Sequence, residues 1–275
     1  MKRKVLFLAA CVGLCLIVMF SASCERLKAR DHLNKGVQAF KNAQYPEAVE
    51  HFKISVDLDP TFPTARLYLA TAYMMQYIPG ADSPENNRMA KAAEDQFLEV
   101  LRQDPSNSVA IASIASLKLN QKQFDEAANW YKKQIAVDPK NKEAYYSLGF
   151  IAWSKWYPAL MTARAKLGMK QEDPGPIKDK KVVAKLQEEY SQVIDEGIKG
   201  LEKALEIDKE YDDAMAYMNL LVRERADLAP DAETYKKEIE VADNWVQKAL
   251  ETKKVKAARM PAGAGGITNE QPAQQ

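Results

Sequence analysis

The sequence predicts an all-α protein, an α-solenoid of about five helix pairs with a long helical hairpin inserted into the fourth. Two observations predict it. A frame of small residue, aromatic residue and Asp-Pro recurs as Ala48, Phe52 and Asp59-Pro60, then Ala93, Phe97 and Asp104-Pro105, then Ala127, Tyr131 and Asp138-Pro139. An alanine and an aromatic four residues apart share one helix face, where the alanine lets a neighbouring backbone approach and the ring fills the adjacent gap. The proline that follows ends the helix, because it has no N–H and clashes with the preceding turn. The second observation is the period: Pro105 and Pro139 are 34 residues apart, room for two short helices and their turns, and fixed-period self-similarity marks a stack of repeats.

Taken in order, the pairs are placed at residues 29–62, 63–107, 108–141, 142–211 and 212–251. The small-residue spacings of 45, 34, 70 and 45 leave two places with extra chain, about 76–87 and 154–190. In the first, Ser83-Pro84-Glu85 reads as a helix N-cap with proline at the first helical position. The second is long enough to be an element in itself. Trp153, Trp156, Leu160 and Leu167 fall at helical spacing on one arm and Val182, Leu186, Tyr190 and Val193 on the other, with Pro174-Gly175-Pro176 in the turn. The expectation is a hairpin projecting from the stack, its first arm kinked at Pro158. Arg164 and six lysines would form a basic, solvated tip. Residues 24–28 read as a linker and 252–275, without an apolar period, as a disordered tail.

The period and the Ala-x3-aromatic…Pro half-repeat resemble the tetratricopeptide repeat (TPR) family over about residues 29–251. That resemblance implies a scaffold that binds proteins or peptides, with a concave surface lined by the first helix of each pair. Carried onto this sequence, the family's lining positions fall on Leu33, Val37, Phe40, Leu67, Met74, Met75, Leu119, Tyr146, Phe150 and Trp153. The Lys and Asn with which some members clamp a peptide carboxylate are absent from those positions. The apolar, Met-rich and aromatic lining suits an apolar or amphipathic segment, which such side chains adapt to and desolvate.

The N-terminus carries an address. Lys2-Arg3-Lys4 precedes an apolar run from Val5 to Phe20, followed by Ser21-Ala22-Ser23 and Cys24, the order of an export signal. Small-small-Cys after such a run resembles the lipobox of bacterial lipoproteins, in which the cysteine is lipidated and becomes the new N-terminus. Ser21 stands where that family prefers Leu, so ordinary cleavage after Ser23 and an uncleaved anchor are the two other outcomes. The resemblance implies residues 1–23 as a signal peptide, lipidation at Cys24, and an envelope location facing the periplasm, on the outer membrane rather than the inner.

Composition limits the chemistry. With 39 Lys plus Arg against 38 Asp plus Glu, the chain has no net bias toward nucleic acid. All three cysteines lie within the first 24 residues, and His32 and His51 are the only histidines; no HExxH metal motif and no Ser-His-Asp arrangement can be built from them. No cofactor, metal or catalytic residue is expected. The reading is a non-catalytic envelope scaffold that assembles a membrane-associated complex, similar in layout to the TPR lipoproteins of outer-membrane barrel assembly and type IV pilus biogenesis. Its alternative is a soluble periplasmic chaperone or carrier of apolar segments.

Overall fold

A computed structural model of the chain describes residues 24–259, and these are helical apart from short connections. The helices are α1 (24–41), α2 (Tyr45–Leu58), α3 (Pro63–Met74), α4 (Pro84–Gln103), α5 (Ser108–Asn120), α6 (Phe124–Val137), α7 (Lys142–Lys166), α8 (Lys180–Ile207), α9 (Asp212–Arg225) and α10 (Ala232–Arg259), with a 3-10 turn at Ala226–Leu228. No strand occurs among the described residues. The fold is all-α and of the TPR solenoid type. It divides into two units, one ending at Val137 and the other beginning at Asp138.

The same local chemistry ends the second helix of four pairs. Asp59, Asp104, Asp138 and Asp208 each follow a helix, and each accepts from the backbone N–H two residues on, at Thr61, Ser106, Lys140 and Glu210. The carbonyl of the same aspartate accepts from the N–H three residues on, at Phe62, Asn107, Asn141 and Tyr211. The side-chain turn and the backbone turn together stop one helix and aim the chain into the next. Asn107 and Asn141 then cap the helices that follow, accepting from the N–H of Ala110 and Ala144. The repeated Asp-Pro of the sequence is this turn.

In the first unit, α1 and α2 run antiparallel: Ser55 Oγ donates to the Ala29 carbonyl at 2.7 Å and His32 meets His51. Ala48 and Phe52 are fully buried there, as are Ala93 and Phe97 in the next pair and Ala127 in the third. Two clusters of buried side chains result, one around Phe52 with Ala39, Val49 and Leu69, the other around Phe97 with Val100, Ile114 and Leu117. Lys118, on α5, is buried and reaches Glu94 on α4 and Glu126 on α6 at 2.9 and 3.1 Å, so three helices share one charge cluster. The longer connection before α4 is tied by Asn86, whose side chain bonds the backbone of Ile78 and Ala81, while Ser83 caps α4 and Pro84 takes its first position.

In the second unit, α7 and α8 are 25 and 28 residues long, against the 14 of α2 or α6. They approach closely where glycines allow it: a Cβ at Gly149 would run into Leu201, and one at Gly197 into Ala152. The extra length is packed. Trp156 and Leu160 of α7 and Leu186 of α8 are buried in one cluster with Met218 and Leu221 of α9, Leu228, and Ile177 from the connection. The expected projecting hairpin is corrected accordingly: its apolar stripes face the neighbouring pair, whose 3-10 turn supplies the missing wall. Pro158 lies within α7, which is helical on both sides of it, so the first arm continues through the proline as part of the same helix.

The basic tip is corrected at its first member. Arg164 is 3% exposed and forms a 2.6 Å ion pair with Asp227, which is also buried. Its other amino group donates to the carbonyls of Lys170 and Asp173, and Ile177 N–H donates to the Asp227 carbonyl. One guanidinium thus holds the α7–α8 connection against the end of α9. Burial pushes the Asp227 carboxyl up from its ordinary range, and the Arg164 hydrogen bond and charge pull it back.

Two end assignments also change. Residues 24–28 belong to α1 and are not a linker, and α10 continues past 251 to Arg259. Lys256 and Arg259 on that last stretch bind Asp212 and Glu210 at the start of α9, so charge pairs extend the helix where apolar contacts have ended. The segment 1–23 and the tail beyond 259 lie outside the described residues.

Candidate functional site

On α7 the residues Tyr146, Phe150, Trp153 and Tyr157 stand at i, i+4, i+7 and i+11, one stripe of a helix. On α9 the residues Asp213, Tyr217, Leu220 and Glu224 stand at the same intervals. The two first helices of their pairs meet along these stripes. Tyr217 lies 5.5 Å from Tyr146, 5.3 Å from Phe150 and 5.6 Å from Trp153 between ring centres, each edge to face, and Trp153 stacks on Tyr157 at 5.2 Å. Edge-to-face contacts set the positive rim of one ring against the negative face of another. Every one of these rings is partly exposed. They are neither core nor isolated surface residues but a continuous aromatic face.

Acidic groups border the face. Trp153 Nε1 donates to Glu224 Oε1 at 3.0 Å, while the other carboxylate oxygen is buried with no hydrogen-bond partner. Burial pushes the Glu224 carboxyl up to about 7 against the pull of the Trp153 N–H, and the charge of Asp227 adds to the rise. At the other end, burial raises the Tyr217 and Tyr146 hydroxyls, with the exposed Asp213 contributing to both shifts. Tyr211 closes this end, its hydroxyl pushed up to about 12 by burial and by Glu143 and Asp213. Lys142 sits 5.0 Å above the Tyr211 ring while bonded to Asp208 at 2.6 Å.

Of the sequence-predicted residues, Tyr146, Phe150 and Trp153 fall together in this face. Leu33, Val37 and Phe40 pack partly buried against the cluster around Phe52, with Phe40 edge-on to Tyr68. Leu67 and Met74 pack against the cluster around Phe97. Leu119 is partly buried on α5, and Met75 is half exposed at the C-cap of α3, one residue past its helix. Tyr157, Tyr217 and Glu224 were not foreseen. The signal available for the α9 pair was the shared i, i+4, i+7, i+11 spacing, hidden because the fifth repeat lacks the Asp-Pro that anchors the first three.

The two histidines approach Nδ1 to Nδ1 at 3.2 Å, with their rings tilted. Among the described residues, no group of three or more His, Cys, Asp or Glu side chains is gathered as a metal ion would require. No helix among them is long and apolar enough to cross a membrane.

Residues 33–108 match a family model described as tetratricopeptide repeat, and residues 117–155 one described as TPR repeat. The chain carries tetratricopeptide repeats. Among curated proteins, this TPR chain is 24% identical over 203 residues to the mitochondrial import receptor subunit TOM70 of Rattus norvegicus, covering 74% of this chain and 27% of that protein. It therefore spans about a quarter of the length of the curated relatives it matches. Among solved structures it is similar to MamA, with a TM-score of 0.57 and 16% identity over 86% of this chain and 98% of that one. It is also similar to YrrB, described as a TPR protein with an unusual peptide-binding site, with a TM-score of 0.51 and 14% identity over 81% and 90%. At such identities the structural likeness establishes the fold.

Proposed function

We propose that the chain is a non-catalytic scaffold of the cell envelope that holds a protein or peptide segment on the aromatic face of α7 and α9 and so assembles a membrane-associated complex. The observation that carries this reading is the face itself: five mutually packed rings, all partly exposed, on the first helices of two TPR pairs. Rings held by one another lose little conformational freedom when a partner covers them, and aromatic side chains are preferred anchors of protein interfaces. The peptide-binding site named for YrrB and the import-receptor role named for TOM70 support the same class of work.

The test is truncation. Phe150→Ala should leave the melting temperature within the range of a surface substitution and weaken partner binding about thirtyfold, the usual effect of losing an aromatic anchor. The partner is found by crosslinking in the envelope from a photoreactive residue beside the face, at position 154. A large drop in melting temperature with binding intact would make the face ordinary core and refute the reading.

The envelope address rests on the sequence pattern ending at Cys24. The thiol is free and exposed at the start of α1. A single acyl chain binds a membrane marginally, whereas several hold it against washing, so wild type should resist high salt and Cys24→Ser should move to the soluble fraction. A Cys24→Ser protein that stays with the membrane and retains residues 1–23 would instead show an uncleaved anchor. One that remains fully functional when released would favour the soluble chaperone.

A further inference from the structure

We propose that the α7–α9 face selects a cationic partner, a segment carrying Lys or Arg among apolar residues, with the cation seated over Trp153 and Tyr217 beside Glu224. This deepens the reading of the face as a docking surface and rests on it. The argument is charge complementarity. Six rings, counting Tyr211, present negative π-faces, and carboxylates stand at both ends of the α9 stripe. The indole N–H of Trp153 is given to a carboxylate, which raises the electron density of that ring toward a cation. One oxygen of Glu224 is buried without a donor, so the negative charge beneath the face is incompletely compensated from within.

The nearby cations of the protein are engaged elsewhere. Arg223 and Arg225 of α9 turn to Asp243 and Glu238 of α10, with Asp195 of α8 also at 3.9 Å from Arg225. Arg164 of α7 is bound to Asp227. Lys155 of α7 lines a groove with Leu186 and Glu189 of α8. The molecule contains one small instance of the proposed contact at the edge of the same face, where Lys142 lies over the Tyr211 ring and bonds Asp208. Asp213 and Glu224 are eleven residues apart on one helix, about 16 Å. In an extended segment every second side chain shares a face, so two basic residues four apart stand about 13 Å apart on one face, and their long side chains span the rest.

The raised Glu224 carboxyl supplies a readout that a merely apolar groove would not. A seated cation favours the ionised carboxylate. Below pH 7 the carboxyl holds its proton and the attraction is missing, and above pH 7 it is present, so affinity for a cationic segment should rise with pH through about 7.

The experiment uses the full-length protein in phosphatidylcholine nanodiscs and a labelled nine-residue peptide of Leu and Ala with two lysines, four residues apart. Versions with Gln or Glu in place of both lysines are the controls. The Lys peptide should bind about tenfold tighter than the Gln peptide, with affinity rising between pH 6 and pH 8. Glu224→Gln keeps an acceptor for the Trp153 N–H and should remove both most of the preference and the pH dependence. Asp213→Asn, at an exposed position, should lower it about threefold without touching the fold. Equal binding of the three peptides, or a preference unchanged in Glu224→Gln, overturns the cationic partner. If binding of all three is then still lost in Phe150→Ala, the docking face survives that failure. Binding by none overturns both.

Discussion

A chain lacking residues 156–190, closed by a short turn, should lose the cooperative unfolding of the second unit while residues 24–137 keep theirs. The deleted segment leaves α7 and α8 at ordinary repeat length, which is why its removal looks harmless in the sequence. In the structure it contains Trp156 and Leu160, both fully buried, and Leu186 and Ile177, nearly so. Burying one such side chain contributes about 1.5–3 kcal/mol, so four of them match or exceed much of the stability of a typical domain. Their absence also bares Leu221, Met218 and Leu228 from the facing pair. Hydrogen exchange read helix by helix is the measurement: protection should vanish from α9 and α10 and persist in α2 to α6. An unchanged melting profile would show that the hairpin is an appendage after all.

Arg164→Met should destabilise the second unit by about 3–5 kcal/mol, the usual result of removing one partner of a buried pair. Asp227 would be left as a buried carboxylate without its cation, and the carbonyls of Lys170 and Asp173 would lose a charged donor. Arg164→Met combined with Asp227→Leu should recover much of the loss, because two apolar residues no longer require a counter-charge. The loss in the single variant should also shrink toward low pH, where protonation neutralises Asp227, already raised by burial. Urea unfolding of the two variants at pH 5 and pH 7 checks both statements. A single variant with wild-type stability would mean that the pair is held together by its surroundings rather than holding them.

How much of this was legible depends on the range over which each interaction acts. The pairs were legible because Ala48 and Phe52, or Ala93 and Phe97, are four residues apart and meet their helical neighbours within one repeat. The turns were legible because Asp and Pro act on the backbone beside them. Arg164 and Asp227 are 63 residues apart in different repeats, and alone each reads as one more surface charge. The same blindness hid the last turns of α10, where Lys256 and Arg259 are explained only by Asp212 and Glu210. In the candidate site, the α7 stripe could be read from family positions, whereas Tyr217 and Glu224 lie on a helix whose repeat has drifted. Their role comes from what α7 brings against them.

The lock at Arg164 also bears on the order in which the chain can acquire its structure during synthesis. In the first unit each helix meets the next within a few tens of residues, so the pairs can close as they emerge. The long arms of α7 and α8 have no such freedom. Their apolar ends stay wet, and the guanidinium of Arg164 has no counter-ion, until residues 218–228 have been made. Contacts of that range are slow to form, and the surface that waits for them is exposed to aggregation meanwhile. The second unit should therefore depend more on assistance during folding than the first, in proportion to the length of chain that must arrive before its lock can close.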